Sequence, residues 1–146
     1  MFTNIDGKFK RENDSGLEIK KDSRAVLIAD FHNDGRLDVF VTNNNDKTSL
    51  FQNKSINDNH WIEIELEGTP PNTDAIGARI YATVRGLKMM REVNAGNGFA
   101  GGSMLRQHFG LKNNKLIDEL TVQWPNGDMH TYKSVAADRI IRISQS

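Results

Sequence analysis

Apolar residues along this chain recur with the two-residue period of β-strands. Between residues 62 and 67, Ile and Leu alternate with Glu, which predicts a strand with one buried face and one solvated face. Short runs rich in β-branched residues at 25–29 and 39–42 are also typical of strands. Helix-period apolar patterns are nearly absent, and abundant Asn, Asp and Gly indicate many tight turns. The sequence therefore predicts an all-β fold.

Two units and a linker can be distinguished along the chain. Residues 1–53 contain the two apolar runs on either side of an acidic loop, and they predict a β-hairpin followed by a short third strand. Residues 54–59 are polar and predict a linker. Residues 60–146 contain several short strands punctuated by turns, a pattern typical of a small antiparallel β-sandwich or barrel. Its strands are predicted at 62–67, 78–84, 88–93, 104–109, 117–124, 129–132 and 139–143.

The acidic loop of the first unit carries candidate metal ligands. It reads Asp-Phe-His-Asn-Asp-Gly-Arg-Leu-Asp from residue 30 to residue 38. Carboxylates at its first, fifth and ninth positions, with Gly at the sixth, suit a tight loop whose oxygens converge on a hard cation. Calcium takes roughly six to eight oxygen ligands from carboxylates, carbonyls and water. The predicted ligands are Asp30, His32, Asp34, the carbonyl of Arg36, and Asp38.

Three states of this loop are open on the sequence alone. An EF-hand is excluded, because Val41 stands where the twelfth-position carboxylate is required and strands flank the loop. His32 suits zinc, copper or nickel better than calcium. The loop therefore binds calcium, binds a transition metal, or is held without metal by side-chain hydrogen bonds to its own backbone. The oxygen-rich ligand set favours calcium as the cofactor, with an affinity that His32 weakens.

Charge and composition exclude several classes of function. Lys and Arg together number 19, as do Asp and Glu, and this balance argues against a nucleic-acid partner held by bulk charge. The chain has no Cys, which excludes disulfides, thiolate catalysis and cysteine-ligated zinc. No apolar run reaches the length of a membrane helix and there is no signal-peptide core, so membrane insertion is not expected and any export signal lies outside this sequence.

A glycine-rich segment supports an alternative, enzymatic interpretation. Residues 96–101 match G-x-G-x-x-G, but that motif must open a helix and here a strand follows. A dinucleotide site is therefore disfavoured. The alternative that stays open is an enzyme or biosynthetic accessory domain with a small-molecule or glycan site near the Gly96–Gly102 loop, using Arg91, Glu92 and His108.

Residues 25–53 resemble an FG-GAP/VCBS repeat, the blade unit of calcium-bearing β-propellers, and this resemblance implies that residues 1–53 form a partial propeller blade. The matching stretches are 25–43 and 50–53. The resemblance implies that the carboxylates of the acidic loop are calcium ligands, and that an acid usually occupies the position of His32. Because repeat units bury their apolar faces on neighbours, we expect the chain to be a fragment whose partners include the remaining propeller repeats of its parent. The other interpretation is that the partial blade packs on the domain behind it.

Residues from about 60 to 146 resemble the ASPIC/UnbV domain, which commonly follows such repeats. The matching pieces are 59–61, 76–79, 91–96, 98–99, 108–111 and 122–127. Together the two resemblances make the chain similar to the C-terminal part of cartilage acidic protein-like bacterial proteins, and they imply no established catalytic residue. The expected function is a non-enzymatic, calcium-stabilised interaction or adhesion-type module of a larger exported protein. The expected location is extracellular, periplasmic or on the outer surface, with a protein or glycan partner.

Overall fold

The computed structural model describes residues 2–13, 15–96, 102 and 104–145. These residues form strands and turns, which confirms the predicted all-β fold, and they include no helix long and apolar enough to cross a membrane. The strands are β1 (Phe2–Ile5), β2 (Lys8–Arg11), β3 (Ser23–Ala29), β4 (Asp38–Asn43), β5 (Asp46–Phe51), β6 (His60–Glu67), β7 (Arg79–Val84), β8 (Leu87–Glu92), β9 (Gln107–Lys112), β10 (Leu116–Gln123), β11 (Met129–Ala136) and β12 (Arg139–Ser144).

The first unit contains two separate sheets. β1 and β2 form an antiparallel hairpin whose turn residues, Asp6 and Gly7, have positive φ angles of 51° and 81°. β3, β4 and β5 form a second antiparallel sheet with β4 at its centre. The acidic loop joins β3 to β4, so the predicted hairpin around this loop and its third strand are confirmed.

The sheet of β3, β4 and β5 carries apolar side chains on both faces. Leu27, Phe40 and Leu50 are cross-strand neighbours on one face, and Val26 pairs with Val41 on the other. Val41 is buried, whereas Val26 is 52% exposed and Leu50 is 56% exposed. Because little of this apolar surface is buried within the sheet itself, contacts with the rest of the chain matter for its stability.

The second unit is a sandwich of two sheets. One has the strand order β11-β10-β7-β8 and the other has the order β12-β6-β9. Their inner faces share one core, in which Ile62, Ile80, Phe109, Ile117 and Leu120 have no exposed surface. Within the described residues neither sheet closes into a barrel. Of the two predicted shapes, a sandwich or a barrel, the structure therefore has the sandwich.

The pairing of β12 with β6 differs from the prediction of an antiparallel domain. These two strands run in the same direction, with Ile141 opposite Ile64. β6 is the central strand of its sheet and pairs antiparallel with β9 on its other side. The alternation of apolar residues predicts which side chains face the core, but the same alternation suits either direction of a neighbouring strand.

The outward face of the β12-β6-β9 sheet positions the candidate site. Ile62 and Phe109 point into the core, and successive side chains along a strand point to opposite faces. Trp61 and Glu63 of β6 and His108 of β9 therefore lie on the outward face, where the acidic loop of the first unit buries Glu63 and contacts Trp61 and His108, which stay partly exposed.

Candidate functional site

The acidic loop is organised around the buried carboxylate of Asp30. Its Oδ1 accepts hydrogen bonds from the N–H groups of His32 and Asp34, each at 3.2 Å, and its Oδ2 accepts one from the N–H of Gly35 at 2.6 Å. The positive φ angles of Asn33 (55°) and Gly35 (82°) let the chain turn tightly enough for these donors to converge. The side chain thus holds the loop by bonding to its backbone.

Asp38 closes the other end of the loop and is also buried. Its Oδ1 accepts a hydrogen bond from the N–H of Asn53 at 2.8 Å, and its Oδ2 contacts the N–H of Phe31 and the Nδ1 of His32. Burial acts to raise the pKa of Asp38, but the hydrogen bonds from Asn53, His32 and Phe31 outweigh burial and the pKa is lowered. Asp38 therefore stays ionised and joins the loop to the chain that follows β5.

Asp34 and Arg36 form a partly exposed ion pair on either side of Gly35. The guanidinium Nη2 of Arg36 donates to Asp34 Oδ2, and the Arg36 N–H donates to Asp34 Oδ1 at 3.0 Å. The Nε of Arg36 also donates to the carbonyl of Asn53 at 3.1 Å. The fifth-position carboxylate thus has a cationic partner, in contrast to Asp30.

The donor chemistry of the loop fits calcium, because three carboxylates and a backbone carbonyl lie on one short segment. The loop carboxylates accept hydrogen bonds from their own segment, as the metal-free interpretation predicted. In the part of the chain that the structure describes, no three His, Cys, Asp or Glu side chains are grouped closely enough to hold an ion in this arrangement. Calcium binding by Asp30, His32, Asp34, Arg36 and Asp38 stays a prediction.

The tip of the acidic loop packs directly on the second unit. A Cβ on Gly35 would lie 2.2 Å from three indole atoms of Trp61, so the backbone at Gly35 rests on that ring. The Nε2 of His108 lies 2.9 Å from the carbonyl oxygen of Gly35. Arg106 adds a hydrogen bond of 2.8 Å from its Nη2 to Asn33 Oδ1. The loop therefore joins the two units, in line with the interpretation in which the partial blade packs on the domain behind it, although the sequence did not identify the residues in contact.

Glu63 lies beneath this contact with no exposed surface. The Nε of Arg106 is 2.7 Å from Glu63 Oε2 and forms an ion pair, while neither carboxylate oxygen makes a well-directed hydrogen bond to a described residue. Burial raises the pKa of Glu63 to about 7, Arg106 opposes the shift, and Asp30 adds to it. The prediction of a solvated glutamate face on β6 is wrong for Glu63, because the acidic loop covers it.

His108 is the second titratable group under the loop. Burial lowers its pKa, and the hydrogen bond to Gly35 opposes that shift. The carbonyl of Gly35 can only accept, so the Nε2 of His108 carries the proton of this bond. A neutral His108 with a protonated Nε2 therefore suffices to hold the loop at pH 7.

An open cleft of about 320 Å³ runs between the acidic loop, the linker and β6. On one side it is lined by Trp61 and His108, whose rings are nearly parallel at 5° with centroids 6.4 Å apart. The lining also includes Arg36 and polar side chains of residues 53–59. A cleft at the junction of two units is a common location for a ligand site.

The residues of the enzymatic alternative have other partners in the structure. The guanidinium of Arg91 lies 5.3 Å from the centre of the Phe109 ring, and Glu92 pairs with Arg79 at 2.8 Å. His108 bonds to the acidic loop. Residues 97–101 and 103 of the glycine-rich segment lie outside the described residues.

The sequence predicted the acidic loop but not the residues of the second unit that the loop contacts. Trp61, Arg106 and Glu63 are far from the loop in sequence, and none of them stands at a spacing that predicts contact with residue 35. The one available signal was the Gly at the sixth loop position. It predicts a tight turn, but it does not identify the indole that the turn approaches.

One comparison with known proteins identifies a family for most of the second unit. A protein-family model described as ASPIC and UnbV matches residues 68–146, which is more than half of the chain. No curated protein matches the chain. The matched region includes β7 to β12, and β6 precedes it and pairs with two of its strands. The chain belongs to the ASPIC/UnbV family, which is an extracellular-type domain family.

Proposed function

We propose that this chain is a non-enzymatic, extracellular interaction module in which calcium on the acidic loop stabilises the junction between two β units. The observation that carries the proposal is the contact of the loop with the second unit, where Gly35 packs on Trp61 and meets His108. A loop in this position fixes how the first unit is presented to a protein or glycan partner.

Family membership supports the extracellular location, since ASPIC/UnbV is an extracellular-type domain. The FG-GAP/VCBS resemblance of residues 25–53 supports the metal, because the loop carboxylates of such repeats are calcium ligands. Asp30 and Asp38 are both buried and stand at the two ends of the acidic loop. Buried carboxylates are stabilised by a nearby cation.

The calcium ligands would be the carboxylates of Asp30, Asp34 and Asp38, the carbonyl of Arg36, and residue 32. Bound calcium supplies positive charge next to these carboxylates. Binding exchanges part of their hydrogen bonds to the loop for bonds to the metal, and His32 contributes an imidazole where an oxygen is preferred. We therefore expect weak affinity, in the millimolar range of extracellular modules.

Thermal unfolding in EDTA and in calcium at concentrations up to about 100 mM tests this proposal. The folded state gains about 0.4 kcal/mol at a calcium concentration equal to the Kd and about 2.7 kcal/mol at a hundred times the Kd, and the Tm rises accordingly. Asp34→Ala removes this response because it deletes the fifth-position ligand. Asp22→Ala is the matched control, since Asp22 also pairs with the arginine two residues later but lies outside the loop. His32→Asp strengthens calcium binding by adding an oxygen ligand.

Two results would contradict the metal assignment. One is a wild-type Tm that is the same in EDTA and in about 100 mM calcium, far above the expected Kd. The other is a larger rise with zinc than with calcium, which would make His32 the principal ligand. If Asp22→Ala loses the calcium response as fully as Asp34→Ala does, the metal lies elsewhere.

A further inference from the structure

We propose that the cleft between the acidic loop and β6 binds a neutral oligosaccharide. This inference rests on the proposed function, because the acidic loop forms one wall of the cleft. It goes further by assigning the ligand class and the residues that contact it. Three features of the cleft support an uncharged ligand with many hydroxyl groups. Its arginine is paired with a carboxylate, two aromatic rings line it, and several amide side chains line it as well.

The charged groups that line the cleft have partners within the protein. Arg36 pairs with Asp34, and His60 Nδ1 lies 2.7 Å from the carboxylate of Asp138. A site for an anionic ligand would need cationic groups that are free to bind it. Since Arg36, the one arginine or lysine among the described residues that line the cleft, is already paired with Asp34, the electrostatics of the cleft favour a ligand without net charge.

The aromatic wall gives the ring of a sugar an apolar surface. Trp61 and His108 are both partly exposed and lie nearly parallel, with 5° between the two ring planes. The pair is held from beneath by the strands β6 and β9, and Gly35 packs on part of the indole. Aromatic side chains with one apolar body and one polar edge suit ligands that are themselves amphipathic.

Asn53 and the linker also line the cleft with amide side chains. Asn53 Oδ1 accepts a hydrogen bond from the N–H of Ser55 at 3.0 Å, and Asn57 Oδ1 accepts one from the N–H of Asn59 at 2.9 Å. These bonds order both amides, and among the described residues no protein acceptor is bonded to the Nδ2 of Asn53, Asn57 or Asn59. Amide groups that can donate and accept match the hydroxyl groups of a sugar.

The size of the cleft agrees with a short oligosaccharide. Its volume of about 320 Å³ lies at the lower end of the range for small-molecule sites, which is roughly 300 to 1,000 Å³. The cleft is open to solvent along the linker, where Ile56 is fully exposed. A ligand can therefore extend beyond the cleft, as one segment of a longer chain would.

The test is binding of the full chain, in calcium, to an array of neutral, sulfated and sialylated glycans, followed by titration calorimetry with the best neutral oligosaccharide. We expect binding to neutral glycans and a loss of about tenfold in affinity for the double variant Asn57→Ala/Asn59→Ala, which removes two hydrogen-bonding amides. Trp61→Phe also weakens binding, because the aromatic wall becomes smaller. Asn126→Ala is the matched control, since Asn126 makes the same bond to the N–H two residues later but lies in a distant turn.

The outcomes separate this inference from the proposed function. If calcium raises the Tm but no neutral glycan binds, or only sulfated or sialylated glycans bind, the inference is overturned and the proposed function stands. Neutral-glycan binding that survives the double variant places the ligand elsewhere and also overturns it. Neutral-glycan binding that is lost in the double variant, without any effect of calcium on Tm, supports the cleft and overturns the metal.

Discussion

The two units of this chain bury their apolar residues to different extents. In the second unit Ile62 and Ile80 have no exposed surface and belong to one core shared by two sheets. In the first unit Val26, Ile28 and Leu50 are between 44% and 56% exposed. A three-stranded sheet with both faces partly open gains limited hydrophobic stabilisation from its own strands. The first unit therefore depends on its acidic loop, which is anchored on the second.

Substitution of one isoleucine in each unit gives the largest expected difference. Ile80→Ala removes a fully buried side chain and should lower the free energy of unfolding by about 2 to 5 kcal/mol. Ile28→Ala changes the same residue type in β3, where the side chain is 44% exposed, and should cost less than about 1 kcal/mol. Urea unfolding of both variants measures this. Equal losses of unfolding free energy for the two variants would mean that both units pack their isoleucines equally well.

Gly35→Ala tests the contact between the units. Its Cβ would overlap the indole of Trp61 in a backbone conformation with φ of 82°, so we expect a loss of roughly 2 to 4 kcal/mol and a changed Trp fluorescence spectrum. Gly86→Ala is the control, because its φ is 81° and no atom lies within 4 Å of the added Cβ. It should show only the backbone cost, about 1 kcal/mol. If both variants lose the same stability, the loop does not rest on Trp61.

Substitution of Glu63 has the smallest expected effect on the free energy of unfolding, and this effect depends on pH. Its pKa is raised from 4.5 to about 7 in the folded protein, so between these values the folded state binds more protons than the unfolded state. This group therefore makes the protein less stable as pH rises from 4.5 to 7. Glu63→Gln should leave stability at pH 4.5 nearly unchanged and raise it at pH 8 by about 1 to 3 kcal/mol.

Glu65→Gln is the control for that pH profile. Glu65 lies on the same strand and pairs with Arg142, but its side chain is 44% exposed. Its substitution should shift the stability curve little at either pH. A decrease in stability at pH 8 for Glu63→Gln would show that the ion pair with Arg106 outweighs the burial of the charge.

The strands and turns could be predicted from the sequence because they depend on neighbouring residues. The alternation in β6 correctly assigned Ile62 and Ile64 to the core, and the Asp and Gly spacing correctly placed a tight loop between β3 and β4. The contact of this loop with Trp61 could not be predicted, because it joins residues with no shared local pattern. Glu63 was misassigned for the same reason, since its burial comes from another part of the chain.

The parallel pairing of β6 with β12 has a consequence for how the second unit folds. Arg142 and Glu65, which are bonded across this pair, are 77 residues apart in the sequence. Contacts of such long range require the intervening chain to close before they contribute, so we expect folding of this unit to be slow relative to hairpin formation. During synthesis β6 leaves the ribosome before β12. Until β12 pairs with it, one edge of β6 is unpaired and can pair with another chain, which promotes aggregation.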